Sequence, residues 1–367
     1  MLYYLLFPLA KYTIVFNVLR YVTFRSIGAF ITSLVFSLIA GPAIIRLLVE
    51  KSAVEHIAED VPERHRIKQG TPTMGGLIIL VSLLVSSLLW NVVTNSAIIM
   101  MYLTTVWLGV FGFLDDYLKN FVKLKTGLIP KYKLWGQIGV SILLTLAIYY
   151  SSTNAENVTQ LQIPFLKNMY LYLGWAFVPF VVFMIVGTSN AVNLTDGLDG
   201  LAAGTLAIAS LGLGVMSYIK GNFIVADYLN LEYIYNAGEL TVFISALMGT
   251  LIGFLWFNSY PAQVFMGDTG SLTLGGILAV ISVLLKEQIF FMIIGMIFVV
   301  EAVSVIMQRS YFKWTKRKFG SGRRIFRCAP IHHHFELQGL HEVKIVIRFW
   351  ILAIILVAVG LGTIKLR

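Results

Sequence analysis

The sequence predicts an all-α polytopic membrane protein of about ten transmembrane helices, and three observations carry that reading. Of the 367 residues, 58% are hydrophobic and only 13% are charged, whereas soluble domains run at about a quarter charged. Mean hydropathy is +0.82. The apolar residues also gather into runs of the length a bilayer requires, about 20 residues each. A single cysteine, Cys328, excludes an internal disulfide framework and gives no CxxC or zinc-ligand spacing. The formal net charge of +10 would suit nucleic acid. Its placement in short loops between apolar runs points instead to membrane topology and anionic ligands.

Residues 1–24 are interrupted by Lys11 and Arg20 and show no small-residue cleavage site. They read as an interfacial or poorly spanning segment, with no cleavable signal evident. Ten candidate spans follow at 26–48, 74–94, 97–114, 134–150, 168–187, 198–218, 239–257, 269–285, 288–308 and 344–364. No soluble domain, internal repeat or low-complexity tract separates them, so residues 1–367 read as one integral-membrane domain.

The loops alternate in charge. Those after the first, third and ninth spans carry Arg46, Lys51, Arg64, Arg66 and Lys68, then Lys119, Lys123, Lys125, Lys131 and Lys133, then Arg309, Lys313, Lys316, Arg317, Lys318, Arg323, Arg324 and Arg327. Loops after the fourth, sixth and eighth spans contribute only Lys167, Lys220 and Lys286. The positive-inside rule then places the odd-numbered loops in the cytoplasm and both termini on the periplasmic side. Every unusual polar cluster falls on that cytoplasmic face, which is where the sequence puts an active-site cleft. A basic face also favours the anionic lipid surface.

After the fifth span comes Asn190-Ala-Val-Asn-Leu-Thr-Asp-Gly-Leu-Asp-Gly-Leu-Ala-Ala-Gly204. Asp196 and Asp199 are three apart and would share a face on a helical turn, and carboxylates at a membrane edge are costly unless they bind something. A polar turn capping the next helix explains one of the two. After the first span, Lys68-Gln-Gly-Thr71-Pro-Thr73-Met-Gly-Gly76 breaks helix where the chain re-enters the membrane. Its lysine and hydroxyls suit phosphate, although a basic flank before a helix start would look alike. After the third span, Asp115-Asp116 stands beside Lys119. Adjacent carboxylates repel unless a cation or shared proton intervenes, and Mg²⁺–phosphate chemistry would supply one. After the seventh span, Asn258 leads to Phe265-Met-Gly-Asp268-Thr-Gly-Ser271. There a carboxylate at a tight turn before a helix could seat a metal–phosphate group, or serve only as an N-cap. After the ninth span, the basic run ends in Pro330-Ile-His332-His333-His334-Phe-Glu336. Three consecutive histidines do not converge on one metal from regular structure, but can donate to phosphate or orient a carboxylate. Glu301, inside the ninth span, fits helix–helix pairing as well as function.

Taken in order, these five motifs resemble those of the bacterial phospho-N-acetylmuramoyl-pentapeptide transferases, within the polyprenyl-phosphate N-acetylhexosamine-1-phosphate transferase superfamily. The His-His-His-Phe-Glu loop is similar to the muramoyl-pentapeptide branch. The resemblance spans nearly the whole chain and implies a Mg²⁺-dependent transfer from UDP-MurNAc-pentapeptide to undecaprenyl phosphate. It implies that Asp268 ligates Mg²⁺, that Asp115 and Asp116 sit at the phosphates, and that His332, His333 and His334 border the cleft. By the same resemblance Lys68, Thr73, Lys119, Asn190, Asn193, Asp196, Gly197, Leu198, Asp199, Asn258, Phe265 and Gln308 belong to substrate binding. A homodimer in the bacterial inner membrane, and no nucleic-acid partner, are also implied. Two rivals differ in class: a sister transferase using UDP-N-acetylglucosamine, and a secondary transporter. The latter would favour internal repeats and charges at the bilayer midplane, which this chain does not display.

Overall fold

The computed structural model describes residues 1–51, 70–124, 126–151, 159–162 and 170–366. Within them the helices are α1 (Leu2–Leu6), α2 (Val22–Glu50), α3 (Gly76–Trp90), α4 (Ser96–Asn120), α5 (Pro130–Ser151), α6 (Phe177–Thr195), α7 (Leu201–Lys220) and α8 (Phe223–Tyr228). They continue with α9 (Ala237–Asn258), α10 (Gly267–Leu284), α11 (Gln288–Ile294), α12 (Met296–Phe319), α13 (Ile331–Glu336) and α14 (Glu342–Gly362). Seven of these, α2, α4, α6, α7, α9, α10 and α14, are long and apolar enough to cross a membrane; α11 with α12 makes an eighth if the bent pair is one span. The protein is a polytopic helical membrane protein. Of the ten segments read from sequence, the second forms only the 15-residue α3, and the fourth forms α5, which stands outside that set.

Central and peripheral helices differ as their sequences require. In α10, 83% of the apolar window is buried, against 22% in α2, so α10 is the axis of the bundle and α2 lies at its edge. The α10 stretch is apolar or small on every side, the pattern of a helix enclosed all round. It packs against α4, α6 and α3, while α9 packs against α2, α7 and α3. On α2 the buried face repeats small residues every four positions, Ala29, Ser33, Ser37 and Gly41, while Ile27, Ile31, Val35 and Ile39 point outward. Against that face α9 presents Gly249 and Gly253; a Cβ on Gly249 would come within 2.2 Å of the Phe30 carbonyl oxygen. Small residues let the two backbones approach, which is how helices associate where lipid removes the hydrophobic incentive.

Three boundaries depart from the sequence reading. The predicted fifth span, 168–187, begins instead with strand β2 (Tyr170–Tyr172), antiparallel to β1 (Gln160–Gln162) with Leu161 opposite Leu171. Among the described residues this small hairpin is the exception to an all-α architecture. The helix itself starts at Phe177, with Pro179 in the first turn, where a missing N–H costs nothing. The predicted 288–308 span is broken at Gly295, where α11 and α12 diverge by 78°. Beyond the bend α12 runs through the basic segment to Phe319. Its last turn carries Lys316, Arg317 and Lys318, which complement the helix dipole, and Gly320 (φ 76°) ends it in the left-handed conformation. Finally, residues 196–200 form a turn, not a helix, so Asp196 and Asp199 do not share a helical face.

Candidate active site

The last turn of α4 meets the first turn of α10. Helix α4 continues past the predicted 114 to Asn120, so Asp115, Asp116 and Lys119 lie on helix, with the lysine one turn beyond Asp115 and 2.5 Å from its Oδ2. The two helices can close to this distance because α4 has Gly112 at the crossing; a Cβ there would lie 2.4 Å from the Asp268 carbonyl oxygen. Gly267, at φ 72°, turns the chain into α10. It leaves the backbone N–H groups of Asp268 and Thr269 aimed at Asp116. Asp116 Oδ1 accepts from Asp268 N at 3.1 Å, and Oδ2 accepts from Thr269 N at 2.8 Å and from its hydroxyl at 2.6 Å. A carboxylate there satisfies otherwise orphaned donors and the positive end of the helix dipole. Asp268 therefore is not an N-cap; it is the first-turn acid, while Asp116 from another helix does the capping.

Asp115, Asp116 and Asp268 each offer an oxygen within 4.8 Å of the others. Lys119 and Lys133 both reach Asp268 Oδ2, at 2.9 and 2.6 Å, and Lys133 lies 3.5 Å from Asp115. Asp115 Oδ1 also accepts from Leu128 N at 2.8 Å. From the end of α6, Asn193 donates to Asp268 Oδ1 and to Ser271 Oγ. Three acids and two ammonium groups from three helices, with Asn193 from a fourth, thus share one cluster. The donor set is hard oxygen, which suits a divalent cation such as Mg²⁺ and phosphate oxygens bridged to it.

Other sequence candidates stand around this cluster in different roles. Thr73 is buried, its hydroxyl beside Gly267. Its segment is tied to the α10 entry by Phe265 N to Pro72 O and by Gly75 N and Gly76 N to the carbonyls of Phe265 and Met266. Asn190 faces α5, donating to Gln137 Oε1. Asp199 accepts from Ala262 N, its own N–H donates to Glu342, and Asn258 links Gly200 N to the Val264 carbonyl. Asn190 thus joins two helices, and Asp199 and Asn258 join loops. Asp196 is half-buried at the end of α6, outside the three-acid cluster, and Leu198 lies in a core with Leu201, Ile345 and Phe349. Lys68 falls outside the described residues.

The histidines diverge on α13. His332 is fully buried, its Nδ1 3.1 Å from the equally buried Glu301, and its Nε2 sits where a side chain on Gly197 would fall. Burial pushes the His332 imidazole below the ordinary histidine range, outweighing the opposing pull of Glu301. His333 faces Glu336; His334 accepts from Arg327 N. Gln308 holds the segment after α12, accepting from Ile325 N and Phe326 N and donating to the Phe326 carbonyl.

Sequence reasoning counted Lys133 only among the basic loop residues, left Glu301 between helix pairing and function, and did not single out Thr269. Lys133 had a legible signal: Lys133, Gln137, Ser141 and Thr145 recur every four residues on an apolar helix, and the last three are buried. A polar stripe of that period faces the bundle. Nothing local in the sequence marks the pairing of Glu301 with His332.

A polytopic membrane bundle with an acidic cluster at the meeting of α4 and α10 defines a class before it defines a protein. The model of glycosyl transferase family 4 matches residues 98–286, which contain all three clustered aspartates. A phospho-N-acetylmuramoyl-pentapeptide-transferase signature matches residues 68–80. The chain is 48% identical over 367 residues to the phospho-N-acetylmuramoyl-pentapeptide-transferase of Thermodesulfovibrio yellowstonii, covering all of both chains. It is 47% identical over 351 residues to that of Chloroherpeton thalassium, covering 96% of this chain and 95% of the relative. With the transferase of Geobacter sp. strain M21 it shares 48% identity over the full length of both. The chain belongs to the phospho-N-acetylmuramoyl-pentapeptide-transferase family.

Proposed function

We infer that this protein transfers phospho-MurNAc-pentapeptide from UDP-MurNAc-pentapeptide to undecaprenyl phosphate, releasing UMP and forming undecaprenyl-pyrophosphoryl-MurNAc-pentapeptide, the first membrane step of peptidoglycan synthesis. The observation that carries the reading is the three-aspartate, two-lysine cluster inside the family match. The reaction needs a basic, oxygen-rich site, because both substrates are anions. A phosphate oxygen of the lipid attacks the sugar-bearing phosphorus, the bond from that phosphorus to the bridging oxygen breaks, and UMP leaves with the electron pair. A lipid phosphate is largely dianionic near neutral pH, its second pKa being about 6, so the protein's task is charge neutralisation and alignment.

Asp115, Asp116 and Asp268 would hold Mg²⁺, which when bound neutralises charge on the pyrophosphate. Lys119 and Lys133 add donors for phosphate oxygens, and Asn193 fixes the Asp268 carboxylate. Asp116, held by three donors from α10, is better suited to positioning than to attack, which favours direct displacement over a phosphoryl-enzyme. Mass spectrometry under single turnover tests this: an adduct on Asp116 would overturn it. His332 borders Gly197, and Asp196, Asn258 and Phe265 are assigned to the nucleoside side of the cleft.

The ten-span topology, periplasmic termini, cytoplasmic cleft, inner-membrane location and homodimeric state belong to the same proposal. The alternation of basic loops supports the orientation. Purified protein assayed for UMP release with undecaprenyl phosphate, with and without Mg²⁺, tests the reaction and its metal dependence. Release from UDP-MurNAc-pentapeptide but not UDP-N-acetylglucosamine is expected. Preference for the latter would move the chain to the sister reaction.

A further inference from the structure

Between Glu301 and Glu336 the sequence has no acidic residue and eight Lys or Arg, and the fold makes this stretch a fixed hairpin. The second half of α12 goes out, Gly320 turns it, and residues 321–330 return. Gln308 binds Ile325 and Phe326, the buried Thr315 hydroxyl accepts from Arg323 N, and Arg327 donates to the Leu337 carbonyl. Its cations therefore stand on a rigid frame. Among the described residues none of the eight lies in an ion pair with a carboxylate.

Two further features say what the frame faces. Aromatic side chains alternate with the cations: Trp314 is 51% exposed, Lys318 Nζ lies 5.0 Å from its ring, and Arg323 stacks 4.9 Å over Phe319. Just before the hairpin, α12 presents Val299, Val303 and Ile306 outward, the apolar surface of a lipid-facing helix. Cations and exposed tryptophan directly past such a surface sit at headgroup depth. A recess opens there between the two arms, with Arg309 and Lys313 from α12 and Arg324 from the return, walled by Val305 and Phe312. Three cations over an apolar wall match a phosphate with an acyl chain below it.

We propose that this recess and hairpin form a binding site for an anionic phospholipid of the bilayer, its phosphate between Arg309, Lys313 and Arg324. The recess shares no residue with the aspartate cluster, but Gln308, one of the residues the resemblance assigns to substrate binding, also lines it.

The test uses the full chain in liposomes of phosphatidylcholine and phosphatidylglycerol at fixed mole fraction, with either lipid brominated to quench nearby tryptophan. The difference between wild type and Trp314→Phe isolates the Trp314 emission. Brominated phosphatidylglycerol should quench it several-fold more than brominated phosphatidylcholine. That preference should fall to near unity in R309Q/K313Q/R324Q, and in wild type at high salt, where exposed charges are screened. The salt titration keeps the test decisive if the triple variant does not fold. Equal quenching by the two lipids, a preference unmoved by salt, or stoichiometric displacement of the brominated lipid by undecaprenyl phosphate would each overturn the proposal.

Discussion

The two ends of the bundle treat buried charge differently, and different helices supply the charges at each. At the end where α9 begins, Arg25 grips Glu239 with both guanidinium nitrogens, at 2.9 and 2.6 Å, while Asn91 and Val92 N also donate to that carboxylate. Nearby in the chain, where α7 ends and α10 has just ended, fully buried Lys220 meets Glu287 at 2.8 Å and the Leu285 carbonyl at 2.9 Å. Each cation there has one acid and auxiliary donors or acceptors. At the other end, where α4 stops and α10 starts, three carboxylates share two lysines. One end is closed and neutral; the other keeps an acid in excess, held close by backbone donors rather than by matching charge. A closed pair contributes to a unique packing. An unbalanced cluster is costly by itself and gains when a cation or an anion bridged by one arrives.

That contrast can be broken from the closed end first. Lys220→Met should destabilise the protein by about 3–5 kcal/mol, because it breaks a buried ion pair by removing one partner. Adding Glu287→Leu should recover much of the loss, and thermal unfolding in detergent reads both. A double variant no better than the single one would mean the pair does more than balance charge. At the open end the effect should appear in rate, not stability. Asp268→Ala should lower UMP release by about 10²- to 10³-fold, the scale for losing one preorganised electrostatic group, while its unfolding temperature stays near wild type. Loss of fold along with activity would erase the distinction between the ends.

Smaller changes sharpen it. Lys133→Gln removes one ammonium from Asp268 and should cost about 1.5–3 kcal/mol of transition-state stabilisation, the range for hydrogen bonds to charged groups. Steady-state kinetics against donor concentration would show whether kcat or KM carries the loss; no change would exclude Lys133 from the site. The smallest effect concerns His332. Its folded pKa lies below the ordinary value of about 6.5, so the unfolded chain takes up the proton first. Stability should therefore fall as pH drops from about 6.5 towards the depressed value, by at most about 1.4 kcal/mol per pH unit. Unfolding temperatures between pH 8 and pH 5 should show that slope in wild type and lose it in His332→Gln.

Much of this was legible beforehand, and the reason differs by residue. Asp115, Asp116 and Asp268 stood out because acids beside long apolar runs are costly and rare. Their convergence was inferred only from loop parity, which says that residues share a face but not that they touch. Asp199, Asn190 and Asn258 looked like the same kind of residue, yet their partners are Ala262 N, Gln137 and Val264 O. A polar side chain that braces a loop and one that meets a ligand have the same composition, and nothing within a few residues distinguishes them. The break at Gly295 was hidden because a bend changes neither hydropathy nor length.

By itself the sequence determined the helical class, the approximate apolar spans, and the order of the polar motifs. These follow from hydropathy and residue order, which are local along the chain. Tertiary structure alone decided that Asp116 caps α10, that Lys133 joins Lys119 on Asp268, and that Glu301 meets His332. Those pairs are separated by 135 to 153 positions along the chain in the first two cases and join different helices in the third. Contact across such distances is set by how whole helices pack, a property no local pattern of residues encodes.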